Sequence, residues 1–422
     1  MESIIRDNLV SHVSLNGLLD CNQHGFLKKH STSSQLLECF YDWCRASDEG
    51  SHVDLIYLDF SKAFDSVSHS KLLSKLASYN FCFHTVNWIK SFLSDRTQAV
   101  KCGASFSSIK PVTSGVPEGS VLGPILFVLF VNDLASICKP CSVKLYADDV
   151  KVYYKILTVR DQIELQQCLD RIVLWANQWQ LSLSFAKCAF LQLGYSNPNV
   201  SYFLGPNKIN IVDSYCDLGI TVDSLLKPSL HITKIVKKAN ARAKLILKCF
   251  LSRSPSNFIR AFKTYVRPLL EYATTIWNPS LLQDINLIER VQRNFTRNVC
   301  IICNLPVLSY DNCLEVLGLE RLELRRLYFD LIELFKIVNH FTYSCIFNVL
   351  SFNQHALHNT RGHRFKLNVI RSNKNVFKTF FTNRVVNVWN FLPAECFNTN
   401  LISTFKNRLL KINFSDFLHG QL

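Results

Sequence analysis

Lys144-Leu145-Tyr146-Ala147-Asp148-Asp149-Val150-Lys151-Val152-Tyr153-Tyr154 sets two adjacent carboxylates between two short runs of apolar and aromatic residues. Val143 to Tyr146 and Val150 to Tyr154 carry the side chains that favour strands. The stretch therefore reads as a hairpin with Asp148 and Asp149 at its tip. Successive side chains of a strand point to opposite faces, but a tight turn can relax that rule and aim both acids at one site. Adjacent acids repel, and a fold that keeps them together usually supplies a cation. An isolated Asp-Asp pair is more often a solvated turn. This pair is not isolated. Asp59 ends a second apolar run, Val53-Asp54-Leu55-Ile56-Tyr57-Leu58-Asp59-Phe60. A buried strand ending in an acid, beside a hairpin carrying two more, is how a two-metal phosphoryl-transfer site is built.

Three segments now line up: Leu58-Asp59-Phe60-Ser61-Lys62-Ala63-Phe64-Asp65, then Ser114-Gly115-Val116-Pro117-Glu118-Gly119-Ser120-Val121-Leu122-Gly123-Pro124, then Tyr146-Ala147-Asp148-Asp149, about 55 and 30 residues apart. In that order they resemble the reverse transcriptase of a non-LTR (LINE-like) retrotransposon, truncated at its N-terminus. The resemblance implies an α+β polymerase right-hand fold. Its expected parts are partial fingers over 1–50, a palm with an antiparallel sheet and the catalytic motifs over 51–225, a helical thumb over 226–300, and a helical basic extension over 301–422. It implies an RNA-directed DNA polymerase that adds deoxynucleoside triphosphates to a DNA primer 3′-hydroxyl on an RNA template. Two Mg²⁺ ions, with Mn²⁺ as an alternative, are the implied cofactors.

The same resemblance assigns roles to residues. Asp59 and Asp148 would bridge the metals, with Asp149 as adjacent support. Phe64 sits where the family places an aromatic that closes over the sugar and excludes a 2′-hydroxyl. Gly115, Pro117, Glu118 and Gly119 would line the nucleotide, although the family carries Gln where this chain has Glu118. Ser184-Phe185-Ala186-Lys187-Cys188 resembles the next palm motif, in which Lys187 would protonate the leaving pyrophosphate. Gln23-His24-Gly25-Phe26 resembles a fingers motif that usually continues Arg-Lys-Gly-Arg-Ser-Thr. Here Leu27 replaces the first Arg and His30 the second, leaving Lys28 and Lys29 to meet the phosphates. The family's preceding Arg-Pro-Ile-Ser segment, an N-terminal endonuclease and a zinc knuckle are all missing. Without the resemblance, Phe64 reads as a core aromatic and Lys187 as a surface lysine.

Charge divides the chain. Residues 1–227 hold 20 Lys/Arg and 21 Asp/Glu, whereas residues 228–422 hold 27 and 11. The basic half offers the attraction for a polyanion. Lys234, Lys238 and Arg242 recur at helical spacing on one face, with Ile232, Ile235, Val236, Ala239 and Ile246 on the apolar side. A basic amphipathic helix following a palm resembles a thumb that tracks a primer–template duplex. The sixteen cysteines form no small-domain disulfide pattern, which points to a reducing compartment. Cys138/Cys141 and Cys300/Cys303 are CxxC pairs without a nearby second pair, and read as buried thiols. No apolar run reaches membrane-spanning length, so the expected location is intracellular, in cytoplasm or nucleus.

Elsewhere the pattern predicts helices over 1–50 with a break at Asn22–Phe26, over Ser68–Tyr79, over Val86–Leu93, over Val121–Leu134 and from Thr158 to Trp179. It predicts a hairpin formed by Gln98–Lys101 and Phe106–Pro111, and Tyr215–Ile220 resembles the family's hairpin that supports the primer strand. Asn359–His363 and Phe380–Pro393 resemble the family's C-terminal region with no mechanism attached. Two alternatives stay open. A decayed or co-opted copy would bind nucleic acid without polymerising; Leu27, Glu118 and the missing N-terminus favour it. An RNA-templated RNA polymerase is opposed by Tyr-Ala-Asp-Asp and by Phe64.

Overall fold

A computed structural model describes residues 1–194, 200–251, 253–306, 308–352, 363 and 365–419. The chain forms two compact units, residues 1–35 with 51–213 and residues 36–50 with 214–422.

The first unit is built on a five-stranded sheet. Its strand order is Asn210–Val212, Ala189–Leu193, His52–Leu58, Asp149–Ile156, Ser142–Tyr146. The central strand is antiparallel to both neighbours, with Leu58 opposite Val150 and Tyr57 opposite Ala189. One edge departs from the antiparallel expectation: Asn210–Val212 lies parallel to Ala189–Leu193. Parallel neighbours need a crossover, and the small ribbon pairing Phe203–Leu204 with Asn207–Lys208 lies in that connection. Ile56, Leu58, Val143, Leu145, Val150, Val152 and Phe190 share a core with Leu126, Phe127, Leu165, Leu169 and Ile172. The last two groups lie on helices Gly123–Val131 and Val159–Trp179. The 3.6-residue apolar period of 159–179 is what turns one stripe of that helix to the sheet. Its start is fixed by Asp161, whose Oδ2 accepts from Thr158 N–H at 2.7 Å and Thr158 Oγ at 3.0 Å.

Two local expectations change. The helix expected over Ser68–Tyr79 spans His69–Ser78, and the Ser68 hydroxyl before it meets Ser70 Oγ at 3.2 Å and caps no helix N–H. The 98–111 hairpin is split into two short pairs, Thr97–Gln98 with Lys110–Pro111 and Lys101–Cys102 with Ser105–Phe106. Between them Ser107 Oγ accepts from Val100 N–H at 2.9 Å, so a side chain takes a ladder bond's place.

Helices Glu2–Leu15 and Thr32–Asp48 flank the expected break. Within the second unit, the later turns of Thr32–Asp48 are gripped by the C-terminal region. Glu38 Oε1 accepts from Cys345 N–H at 2.7 Å, and Asp48 Oδ1 accepts from Asn373 and Lys374 N–H at 2.7 and 2.6 Å. The compact units are thus cut differently from the functional parts expected along the sequence, because this helix supplies acceptors to the N–H groups of Cys345, Asn373 and Lys374.

The second unit opens with the hairpin Ser214–Asp217 and Ile220–Asp223, turning through Leu218 and Gly219 at φ 44° and 88°. Helix Ser229–Cys249 follows, with Ile232, Ile235, Val236, Ala239 and Ile246 buried as expected. Residues 255–271 are helical with a π turn at Phe262–Val266 just before Pro268. Proline removes a donor and crowds the preceding turn, and the ladder slips register there. The Phe380–Pro393 stretch gains a mechanism. Arg384 forks onto Asp330, with Nε–Oδ2 2.9 Å and Nη2–Oδ1 2.8 Å, and also donates to Thr275 O at 2.8 Å. Asn390 pairs with both backbone groups of Leu367 at 2.9 and 2.8 Å. These residues are internal framework. Asn359–Gly362 lie outside the described residues.

Cys138, Cys141 and Cys300 are buried and Cys303 is half-buried. Cys300 Sγ lies 3.0 Å from Cys313 Sγ. Among the described residues no helix is long and apolar enough to cross a membrane.

Candidate active site

The acid hairpin closes through a two-residue turn. Tyr146 pairs with Asp149, leaving only Ala147 and Asp148 between the strands. Ala147 sits at φ 57°, where a side chain is disfavoured. The fingers motif holds it there. Gln23 Oε1 accepts from Ala147 N–H at 3.2 Å and from Gly25 N–H at 2.7 Å. His24 N–H donates to Leu145 O at 2.8 Å, and Leu145 N–H donates to Asn22 O at 3.0 Å. Gly25 is packed so closely that an added Cβ would come within 2.3 Å of Ala147 N. No sequence pattern marked Gln23 as a support of the turn; the neighbouring glycine was the available signal.

Asp59 follows directly on the central strand, and the Leu58–Val150 pairing delivers it beside the turn. The segment 182–188 lies along it. Ser184 N–H donates to Asp59 O at 2.8 Å, and Lys187 N–H donates to Ser184 O at 2.9 Å. This turn brings Lys187 Nζ to 3.2 Å from Asp59 Oδ1 and 3.4 Å from Oδ2. The Lys187 side chain is 67% exposed and that of Asp59 29%. Burial raises the Asp148 carboxyl above its usual range; its own backbone N–H opposes this, the Asp59 charge adds to it, and Lys187 opposes it more weakly. The Asp148 carboxyl therefore senses both members of the Asp59–Lys187 pair.

Asp149 is an exposed strand residue paired with Tyr146, and continuing the Leu58–Val150 register by one step sets it opposite Asp59. Among the described residues, no group of three or more His, Cys, Asp or Glu is arranged to hold a metal ion. A pair of carboxylates still fits magnesium, which binds hard oxygens and usually takes one or two protein carboxylates together with substrate phosphates.

Phe64 stacks on Phe127, with ring centroids 4.4 Å apart and planes at 17°. Its backbone carries the glycine loop: Val116 N–H donates to Phe64 O at 2.9 Å and Gly115 N–H to Val67 O at 2.8 Å. Gly115 has φ 90°, and a Cβ there would meet Asp65 backbone at 2.8 Å. Pro117 is half-buried, while Glu118 and Gly119 are exposed. Leu27 packs against the core and cannot face phosphates, whereas Lys28 and Lys29 are exposed. In the second unit, Lys234, Lys238 and Arg242 lie exposed on one face of their helix.

Residues 1–212 match the family model described as reverse transcriptase (RNA-dependent DNA polymerase). The chain belongs to that family, and is of the non-LTR, LINE-like type. It is similar to the RNA-directed DNA polymerase from mobile element jockey of Drosophila melanogaster, 30% identical over 313 residues, 71% of this chain and 34% of that one. It is also similar to the probable RNA-directed DNA polymerase from transposon X-element of the same species, 27% identical over 70% of this chain and 34% of that one. Apo telomerase from Candida tropicalis aligns with TM-score 0.45 at 11% identity, over 77% of this chain and 55% of that one. The chain spans about a third of the length of the curated relatives it matches. Family membership carries the α+β right-hand polymerase class expected from the sequence.

Proposed function

We propose that this chain is an RNA-directed DNA polymerase that adds deoxynucleoside triphosphates to a DNA primer 3′-hydroxyl on an RNA template. One observation carries the reading: Asp59 at the end of the central strand lies close enough for its charge to act on Asp148 in the hairpin turn, with Lys187 3.2 Å from Asp59. Asp59 and Asp148 would hold two Mg²⁺ ions, or Mn²⁺ in their place, with Asp149 beside them. Such ions, when bound, lower the pKa of the primer hydroxyl and neutralise charge developing on the phosphates.

The other roles belong to the chain's own side chains. Lys187 donates a proton to the departing pyrophosphate oxygen, where a positioned acid is effective. Phe64, held flat by Phe127, occupies the space a ribose 2′-hydroxyl would need. Gly115, Pro117, Glu118 and Gly119 border the incoming nucleotide, and Lys28 and Lys29 meet its phosphates. Lys234, Lys238 and Arg242 grip the backbone of the primer–template duplex. In this reading residues 1–50 act as partial fingers, 51–225 as palm, 226–300 as thumb and 301–422 as a supporting extension.

A second reading has a specific observation behind it. Leu27 is turned into the core and Glu118 is exposed beside the glycine loop, which suits a copy that binds nucleic acid without polymerising. Extension of oligo(dT) on poly(rA) with Mg²⁺ separates the two: extension supports the first, and binding without extension the second.

A further inference from the structure

Phe26 stands in a conformation that its side chain disfavours. Its φ is 59°, in the left-handed region that bulky residues rarely enter, and it is 54% exposed. An exposed aromatic gives up nothing by relaxing, so its surroundings must impose this backbone. They are visible. Gly25 is jammed against Ala147, and Gln23 Oε1 binds the N–H groups of both. The strain therefore comes from the same contacts that fix the Asp148 turn. Its result is to project the Phe26 ring toward Phe64, edge to face, with centroids 6.3 Å apart and planes at 86°. Phe64 is also stacked face to face on Phe127. The ring thus meets one aromatic from the core and one from the fingers motif.

We infer that Phe26 is a positioning residue for sugar selection: it fixes the Phe64 ring at the place where a nucleotide 2′-hydroxyl would arrive. The inference rests on the polymerase reading above. Edge-to-face pairs prefer this geometry, and a ring held by two others cannot rotate aside to admit a ribonucleotide. Coupling through Gln23 and Gly25 also ties sugar selection to the turn that carries Asp148.

The test compares incorporation of deoxy- and ribonucleoside triphosphates by the full chain and by Phe26→Ala, Phe26→Tyr, Phe26→Gly and Phe64→Ala. Phe26→Ala is expected to lower the deoxy-over-ribo ratio of kcat/KM about tenfold or more, mainly through a lower KM for ribonucleotides. Deoxynucleotide kcat is expected to stay within about threefold. Phe26→Tyr keeps a ring and is expected to retain the ratio. Phe26→Gly is expected to lose the ratio without lowering Tm, since glycine suits φ 59°. An unchanged ratio in Phe26→Ala, with a lost ratio in Phe64→Ala, overturns the inference and leaves the polymerase reading standing. An equal loss of both substrates together with a lower Tm also overturns it, by showing a merely structural role. Absence of extension by the parent chain fails the polymerase reading, and this inference with it.

Discussion

Lys187 Nζ lies 3.2 Å from Asp59 Oδ1, an ion pair between residues 128 positions apart in sequence. Ser184 makes the pairing by donating its N–H to Asp59 O, so the lysine's segment is pinned by its backbone to the end of the central strand. The lysine is two-thirds exposed, and an exposed pair of this kind contributes only about 0–1 kcal/mol to stability. In the proposed function its role is chemical. Lys187→Ala is expected to slow single-turnover incorporation about 10²-fold or more while shifting Tm little. An unchanged rate would remove Lys187 from the reaction.

Glu118 gives a prediction in the opposite direction. It is exposed in a loop tied to Phe64 and Val67. A carboxylate about 5 Å from a triphosphate costs on the order of 1–3 kcal/mol at an intermediate effective dielectric. That equals roughly a 5- to 150-fold loss, as about 1.4 kcal/mol is tenfold. Glu118→Gln should therefore raise incorporation, chiefly by lowering the nucleotide KM. A fall in incorporation would show that the charge is used by this chain.

The basic helix is tested by salt. Lys234, Lys238 and Arg242 are exposed on one face. Replacing all three by Ala should weaken duplex binding and reduce the slope of log affinity against log salt by about 3, near 0.9 per lost phosphate contact. The measurement is fluorescence anisotropy across a salt series on an RNA–DNA duplex. An unaltered slope would move the nucleic-acid grip elsewhere.

His231 makes part of the stability pH-dependent. Burial first, then Lys234 and Lys238, lowers its pKa from 6.5 to about 4. Its Nδ1 accepts from Thr221 N–H at 3.2 Å, so the folded state holds the neutral ring with its proton on Nε2. A depressed histidine stabilises fully above its unfolded pKa. That contribution is lost as pH falls from 6.5 towards 4, about 3 kcal/mol in all at 1.36 kcal/mol per unit. Denaturant midpoints at pH 7.5 and 4.5 should differ more for the parent than for His231→Gln. Equal differences would contradict the assignment.

Much of this was legible in the sequence because it depends on period and order. The acid hairpin declares itself by two strand-like runs around Asp148, and the basic helix by Lys234, Lys238 and Arg242 at four-residue spacing. The helix start at Thr158 is a local pattern and forms where the sequence places it. What was not legible depends on distant partners. Gln23 looks like any loop glutamine until its side chain is seen bridging Gly25 and Ala147. Asp148 and Asp149 are neighbours in sequence, and only the fold shows that the first is a turn residue and the second a strand residue. Arg384 and Asp330 lie 54 positions apart, and nothing local in either stretch announces their fork. The parallel edge strand was hidden for a related reason, since a three-residue strand carries too little pattern to show its direction.

Primer extension by the parent chain and by Asp148→Asn tests the central claim most directly. The substrate is oligo(dT) on poly(rA), with Mg²⁺ and dTTP, and duplex affinity is measured alongside. Asp148 is placed at the turn and coupled to Asp59 and Lys187. Neutralising it should cut extension by about 10³-fold or more, several kcal/mol of lost charge stabilisation, while duplex affinity stays within about twofold. Extension by Asp148→Asn at the parent's rate would contradict the account.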